Sequence, residues 1–253
     1  MKRIIIVGII IVTLGLLCNF NYNEPKLAKA VQEGDQEQVK ELIAAGTELD
    51  FIYEDKGTPL MIAAYKGEEK IVKLLIKAGA DINQGFENDT IMQGMNPLRL
   101  ATLNNNLEVV RLLIEAGAKI NLKNQAGENL LPDAVYNSDI EIVKALIAAG
   151  IDLNNLSEVG QTALMTAVLI PDNKRAVKMT KLLIKEGARL NHQDSKGWTA
   201  LMFAAAANNL RAAKVLIKAG AEIALSNDEG QTALKVAKEK DNIRMVQFLQ
   251  EVG

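Results

Sequence analysis

The sequence predicts an all-α chain: a solenoid of seven stacked helix-turn-helix units with β-turn connections, preceded by an N-terminal hydrophobic segment. Three observations predict it. Glycines that close apolar helix patterns recur as Gly46, Gly79, Gly117, Gly150, Gly187, Gly220 and Gly253, at spacings of 33, 38, 33, 37, 33 and 33 residues. Each follows an apolar helix end, as in KELIAAG, KLLIKAG and RLLIEAG. A helix-start pattern recurs in step: GTPLMIAA, MNPLRLAT, ENLLPDAV, QTALMTAV, WTALMFAA and QTALKVAK. Self-similarity at such a period marks units that cannot bury their apolar faces alone and must stack.

The clearest unit runs from Gly57 to Asn83. Thr58 is placed to cap a helix, and Pro59 falls at the first helical position, where a missing N–H costs nothing. Leu60, Ala63 and Ala64 give a short helix that stops at Gly67. A second helix starts near Glu68, and Ile71, Leu74, Leu75 and Ala78 form its apolar stripe up to Gly79.

This pattern resembles the ankyrin repeat family, whose unit is a β-turn plus two antiparallel helices over about 33 residues. The resemblance covers Glu24 to Gly253. It divides residues 21–253 into a capping repeat over 24–50, five inner repeats over 51–226 and a C-terminal repeat over 227–253. Residues 24–50 lack the turn and T-P-L start, and Lys26, Lys29, Gln32 and Glu33 are polar, as a terminal repeat requires. The family favours His in its T-P-L-H signature. Here the position holds Met61, Arg99, Pro132, Met165, Met202 and Lys235, so apolar packing by methionine is expected in place of a histidine hydrogen-bond network.

Residues 1–20 differ from the rest. Lys2 and Arg3 precede an uncharged apolar run of 14 residues, Ile4 to Leu17. That length fits the h-region of an export segment and falls short of a spanning helix. The sole cysteine, Cys18, follows Leu17. Its place fits a lipid anchor of the bacterial lipoprotein kind, although Leu17 stands where such signals carry Gly, Ala or Ser. A lipidated Cys18, an uncleaved anchor and a cleaved signal all remain open. In each case the repeats are expected outside the cytoplasm, periplasmic or in the cell envelope, with membrane contact only through the N-terminal segment.

Two insertions interrupt the period. Gln84 to Gly94 lengthens the turn between the first two full repeats, and Leu169 to Val177 lengthens the connection between two helices of the fourth. Insertions in such stacks map to loops.

Composition narrows the function. Without Lys2 and Arg3 the chain holds 27 basic and 31 acidic residues. An evenly mixed, mildly acidic surface gives no footprint for nucleic acid or for anionic lipid. No phosphate loop, metal spacing or nucleophile elbow is present, so neither cofactor nor metal is expected and an enzyme is not. The one histidine, His192, reads as a hydrogen-bonding turn residue.

The resemblance implies a concave face made by turn tips and the exposed sides of first helices, binding a protein partner of unknown identity to a monomeric chain. The residues carried over are Tyr65 and Lys66, Met92 and Met95, Leu103, Tyr136, Lys196 and Trp198, with Leu169 and Ile170 at a further first-helix position. Aromatic anchors dominate interface energetics. Tyr65 and Tyr136 are expected to form an apolar patch with Met92, Met95 and Leu103, while Trp198 fits binding and turn packing equally. The expected role is capture of another protein, as inhibitor or immunity protein of an exported enzyme, or alternatively as an envelope scaffold.

Overall fold

The computed structural model describes residues 24–86 and 94–253. The export segment, Cys18 and Met92 lie outside the described residues. Among those described the chain is helical without strands, apart from isolated bridge positions, Ser226 with Thr232 and one at Phe86. It divides into two compact units, Met1–Lys119 and Ile120–Gly253.

In the first unit, helical residues 24–33 (α1) are followed by α2 (Gln36–Ala44), a 3-10 turn at Glu54–Lys56, α3 (Pro59–Lys66), α4 (Glu69–Lys77), α5 (Pro97–Leu103) and α6 (Leu107–Glu115). The second unit contains α7 (Leu131–Asn137), α8 (Ile140–Ala148), α9 (Ala163–Val168), α10 (Asn173–Lys185), α11 (Ala200–Ala206), α12 (Leu210–Lys218), α13 (Ala233–Glu239) and α14 (Ile243–Val252). Inside each unit the first helices of successive pairs pack on one another, α3 on α5 in one, and α7, α9, α11 and α13 in sequence in the other. Second helices line up behind them, as α2, α4 and α6 do.

After α1 the first helices have 6 to 8 residues, too short to persist alone in water. Packing on several sides holds them: α3 buries Leu60, Met61, Ile62, Ala63 and Ala64. Small residues let α3 and α5 approach closely, and each fully buried leucine contributes about 1.5–3 kcal/mol. Their starts are fixed by the expected caps. The hydroxyl oxygens of Thr58, Thr162, Thr199 and Thr232 each accept from the backbone N–H three residues on, and the Asn96 side chain does the same. The helix start at ENLLPDAV departs from this. Leu130 cannot cap, so the buried Asn129 accepts from the Leu131 N–H at 3.0 Å while its own N–H donates to Asn155 and its amide to the Asp152 carbonyl.

The second helices correct the expected stripe. α4 buries Ile71, Val72 and Leu75, whereas Leu74 is half-buried and Ala78 exposed. α6, α8 and α12 bury the equivalent positions. A second helix meets both its own first helix and the second helix of a neighbour, so its buried arc turns toward the corner between them. Methionine packing is as expected: Met61, Met165 and Met202 are buried, and the Met165 sulfur also accepts the Thr162 N–H at 3.4 Å. Lys235 is exposed and Arg99 buried at the same register position.

The insertion at Leu169 to Val177 does not lengthen a loop. α10 has 13 residues where α4, α6, α8 and α12 have 9, so four added residues form one more helical turn. Asp172 caps it through the Lys174 N–H at 2.8 Å. From this added turn Arg175 reaches the carbonyls of Val135 (2.8 Å) and Ser138 (3.0 Å) at the end of α7. Elsewhere asparagines at the start of second helices perform that service: Asn106 toward Ala64 and Tyr65, Asn209 toward Val168, and Asn242 toward Ala205.

Candidate functional site

The end of α1, the 3-10 turn, α3, α5 and the start of the first insertion enclose a cleft of about 650 Å³ within the first unit. Ile62, Tyr65, Phe86 and Leu100 supply its apolar surface; Gln32, Glu33, Lys56 and Lys66 supply its polar rim. Ile62 and Leu100 stand 38 residues apart at the same register position of successive pairs, so the repeat itself sets them side by side. Ile62 is buried, and Leu100 and Phe86 are half-buried. Tyr65, one helical turn beyond Ile62, is 55% exposed at the end of α3. Its position follows from Gly67, whose φ of 75° ends the helix and turns the chain away from the ring.

The rim charges differ in their ties. Lys56 holds the Glu54 carboxylate at 2.6 Å and lies 5.3 Å from the centre of the Tyr53 ring. This contact keeps the Glu54 carboxyl below, and the Lys56 ammonium above, their ordinary titration ranges. Lys66 is exposed in the last turn of α3, where its charge favours the helix C-terminus. The cleft thus offers an apolar body with a rim of mixed charge, the chemistry of a seat for an apolar side chain.

Of the residues expected to bind a partner, Tyr65 and Lys66 share this cleft. Met95 and Leu103 are half-buried in the same unit without lining it. Tyr136, 44% exposed on α7, belongs to the second unit. So do Lys196 and Trp198, which share one turn. The Asp194 carboxylate accepts from the N–H groups of both, Lys196 is exposed, and Trp198 is half-buried with its ring centre 5.2 Å from that of Phe203. Trp198 therefore packs over its own helix start. Leu169 is exposed, but Ile170 is buried, because the added turn of α10 folds the chain back at that point. His192 lies in its turn half-buried, with Nε2 3.0 Å from the Gly160 carbonyl.

Sequence reasoning missed Ile62, Leu100, Glu33 and Lys56 as lining residues. The register equivalence of Ile62 and Leu100 was a usable signal; the approach of α1 and Phe86 was not.

A family profile described as ankyrin repeats (3 copies) matches residues 27–124, 120–194 and 172–253. No curated protein matches the chain. Among solved structures, it is similar to the ankyrin repeat domain of Bcl-3, described as a unique member of the IkappaB protein family. That similarity has a TM-score of 0.75 and 27% identity, over 87% of this chain and 97% of the other. The recurring caps, the paired helices and the matched profile agree: the chain belongs to the ankyrin repeat family, whose repeats are protein–protein interaction modules.

Proposed function

We propose that this chain is a non-catalytic binder of another protein, acting outside the cytoplasm through a seven-repeat stack capped by residues 24–50. The exposed Tyr65 ring beside an apolar cleft of about 650 Å³, with Lys66 at its rim, carries the reading. A large aromatic beside an apolar cleft is the arrangement of an interface anchor. The basic start and apolar run of residues 1–20 support export, with Cys18 as a lipid anchor or the run itself as one. Capture of an exported enzyme, as its inhibitor or immunity protein, is the form of the proposal most open to test. The exposed Tyr136 and Lys196 in the other unit favour a second reading, an envelope scaffold with several separate contacts.

The test immobilises the full chain and passes native envelope and secreted extract over it, beside a Tyr65→Ala, Lys66→Glu variant. One dominant protein captured by the wild type and lost from the variant supports a dedicated binder at the cleft. Assaying that protein's activity with and without the chain distinguishes inhibitor from stabiliser. Several species lost only when Tyr136 and Lys196 are changed would favour the scaffold. Fractionation of cells carrying wild-type or Cys18→Ser chain tests the location, and recovery wholly in the cytoplasm would overturn export.

A further inference from the structure

The outward sides of α10 and α12 carry charge of one sign. Lys174, Lys178, Lys181 and Lys185 are exposed on α10 at intervals of four, three and four residues, which places them along one side of the helix. α12 packs beside α10 and exposes Arg211, Lys214 and Lys218 at intervals of three and four. Neither helix contains an acidic residue. On α2, α6 and α8 the signs mix and pair instead, Lys40 with Glu37, Arg111 with Glu108 and Lys144 with Glu141. On this face the one ion pair among the described residues joins Lys185 to Glu186 at 3.5 Å. An evenly mixed surface was expected from the whole-chain count; on these two helices it is replaced by a basic face.

A 13-residue helix is about 20 Å long, and its neighbour lies about 8–10 Å away, so seven cations spread in two dimensions with little screening between neighbours. The chemistry of the face selects what fits it. Six of the seven are lysines, point charges without the fork that matches single carboxylates, and lysine is depleted from protein interface cores. Phe248 lies beneath the Lys214 ammonium, 5.2 Å away, and offers no open ring for a base to stack on. Two helices packed side by side present no single projecting element to enter a duplex groove. A plane of phosphates needs none of these features and binds lysine well. Where α10, α12 and α14 start, Asn173, Asn208, Leu210, Arg211 and Arg244 line a cleft of about 240 Å³ at the edge of the face, with two guanidinium groups for a phosphate.

We propose that the α10–α12 face docks onto anionic phospholipid headgroups. Each basic residue near such a surface strengthens attachment roughly fivefold. A polybasic face and one apolar segment together make the two-signal arrangement that stable attachment needs, and the run from Ile4 to Leu17 supplies the second signal. This last point rests on the anchoring reading above; the face itself does not.

The full chain is titrated with vesicles of phosphatidylcholine alone and of phosphatidylcholine with phosphatidylglycerol in equal parts, at low and high salt. Its comparison is Lys178→Glu, Lys181→Glu, Lys214→Glu, Lys218→Glu, with the four Lys→Gln changes as a milder second variant and circular dichroism to confirm folding. The wild type should prefer the anionic vesicles by about 100-fold or more, losing the preference in high salt. The Glu variant should fall to parity between the vesicles, and the Gln variant should fall between. Binding to neutral vesicles reports the apolar segment; its failure with the anionic preference intact overturns the anchor and leaves the face. Equal wild-type binding to both vesicles, or a preference unchanged in the Glu variant, overturns the proposal. So does displacement of the chain from anionic vesicles by short duplex DNA or polyglutamate at equal charge concentration.

Discussion

The side-chain oxygen of Asn83 accepts a hydrogen bond from the backbone N–H of Lys119, 2.7 Å away and 36 residues further along the chain. The same bond joins Asp50 to Asp81 (2.8 Å), Asn121 to Asp152 (2.8 Å), Asn154 to Arg189 (2.9 Å) and Asn191 to Glu222 (2.9 Å). These asparagines close the GADIN, GAKIN, GIDLN and GARLN segments, and the next register position is Ala224. The ladder replaces the polar ties between repeats that the missing signature histidines would have made. Asn154→Ala should cost about 1 kcal/mol in urea unfolding, because it strips one acceptor from a partly exposed N–H, while Asn154→Asp stays within a few tenths.

The asparagines that start second helices should divide by burial. Asn209 is 3% exposed, accepts from the Ala212 N–H at 3.1 Å and donates to the Val168 carbonyl at 3.0 Å. Its change to Ala removes a cap and strands a buried carbonyl, for a loss of about 2–3 kcal/mol. Asn242 donates to Ala205 at 2.7 Å but caps nothing, so Asn242→Ala should cost about 1 kcal/mol. Chemical denaturation of both variants checks the order.

Gly197 and Gly220 both have positive φ, 75° and 99°. A Cβ on Gly197 would sit 2.8 Å from the Asn227 Cα, whereas one on Gly220 meets nothing within 4 Å. The close approach belongs to the turn tips of the second unit, where Glu158, Ser195 and Asp228 donate to the carbonyls of Ala126, Val159 and Lys196. Gly220→Ala should therefore cost about 1–2 kcal/mol from backbone conformation alone. Gly197→Ala should cost clearly more, and thermal unfolding of the pair measures the difference.

Glu54 and Lys56 set a pH window. The Lys56 hydrogen bond lowers the Glu54 pKa below 4.5, and the Glu54 hydrogen bond raises the Lys56 pKa above 10.5. The stabilisation carried by Glu54 is present above its unfolded pKa and lost as pH falls through the lowered folded value. That of Lys56 is present below its unfolded pKa and lost as pH rises through the raised folded value. Both groups are solvent-exposed, so the effect is read by titration: Lys56→Met should move the Glu54 midpoint upward toward 4.5 in a carboxyl-carbon NMR titration. An unmoved midpoint would show that the contact does not persist in solution.

Much of the fold was legible in the sequence because each element depends on its neighbours in the chain. Thr58 caps because its hydroxyl lies within reach of the Met61 N–H, and Gly67 ends a helix because it takes a left-handed φ without penalty. Asn105, Asn208 and Asp241 hold the same left-handed position in other pairs, a substitution set that local chemistry permits. The phase of the second-helix stripe was not legible. Ile71, Val72 and Leu75 are chosen over Leu74 and Ala78 by which helices lie alongside. The basic face was present in the strings NKRAVKMTKLLIK and LRAAKVLIK, but an average over the whole chain erased it.

The cleft shows the division most plainly. Tyr65 and Lys66 could be picked from their register, since an exposed position at the end of a first helix repeats with the unit. Glu33, Lys56 and Phe86 join them only because α1, a 3-10 turn and the start of an insertion converge in space.

By itself the sequence determined the repeat, its register, the ends and caps of its helices and the family, because local hydrogen bonding and a fixed apolar period specify them. The tertiary structure alone decided which residues line the cleft, that four inserted residues became a turn of α10, and that the lysines of α10 and α12 share one face. Those outcomes depend on contacts between segments distant in the chain, and no local preference encodes such contacts.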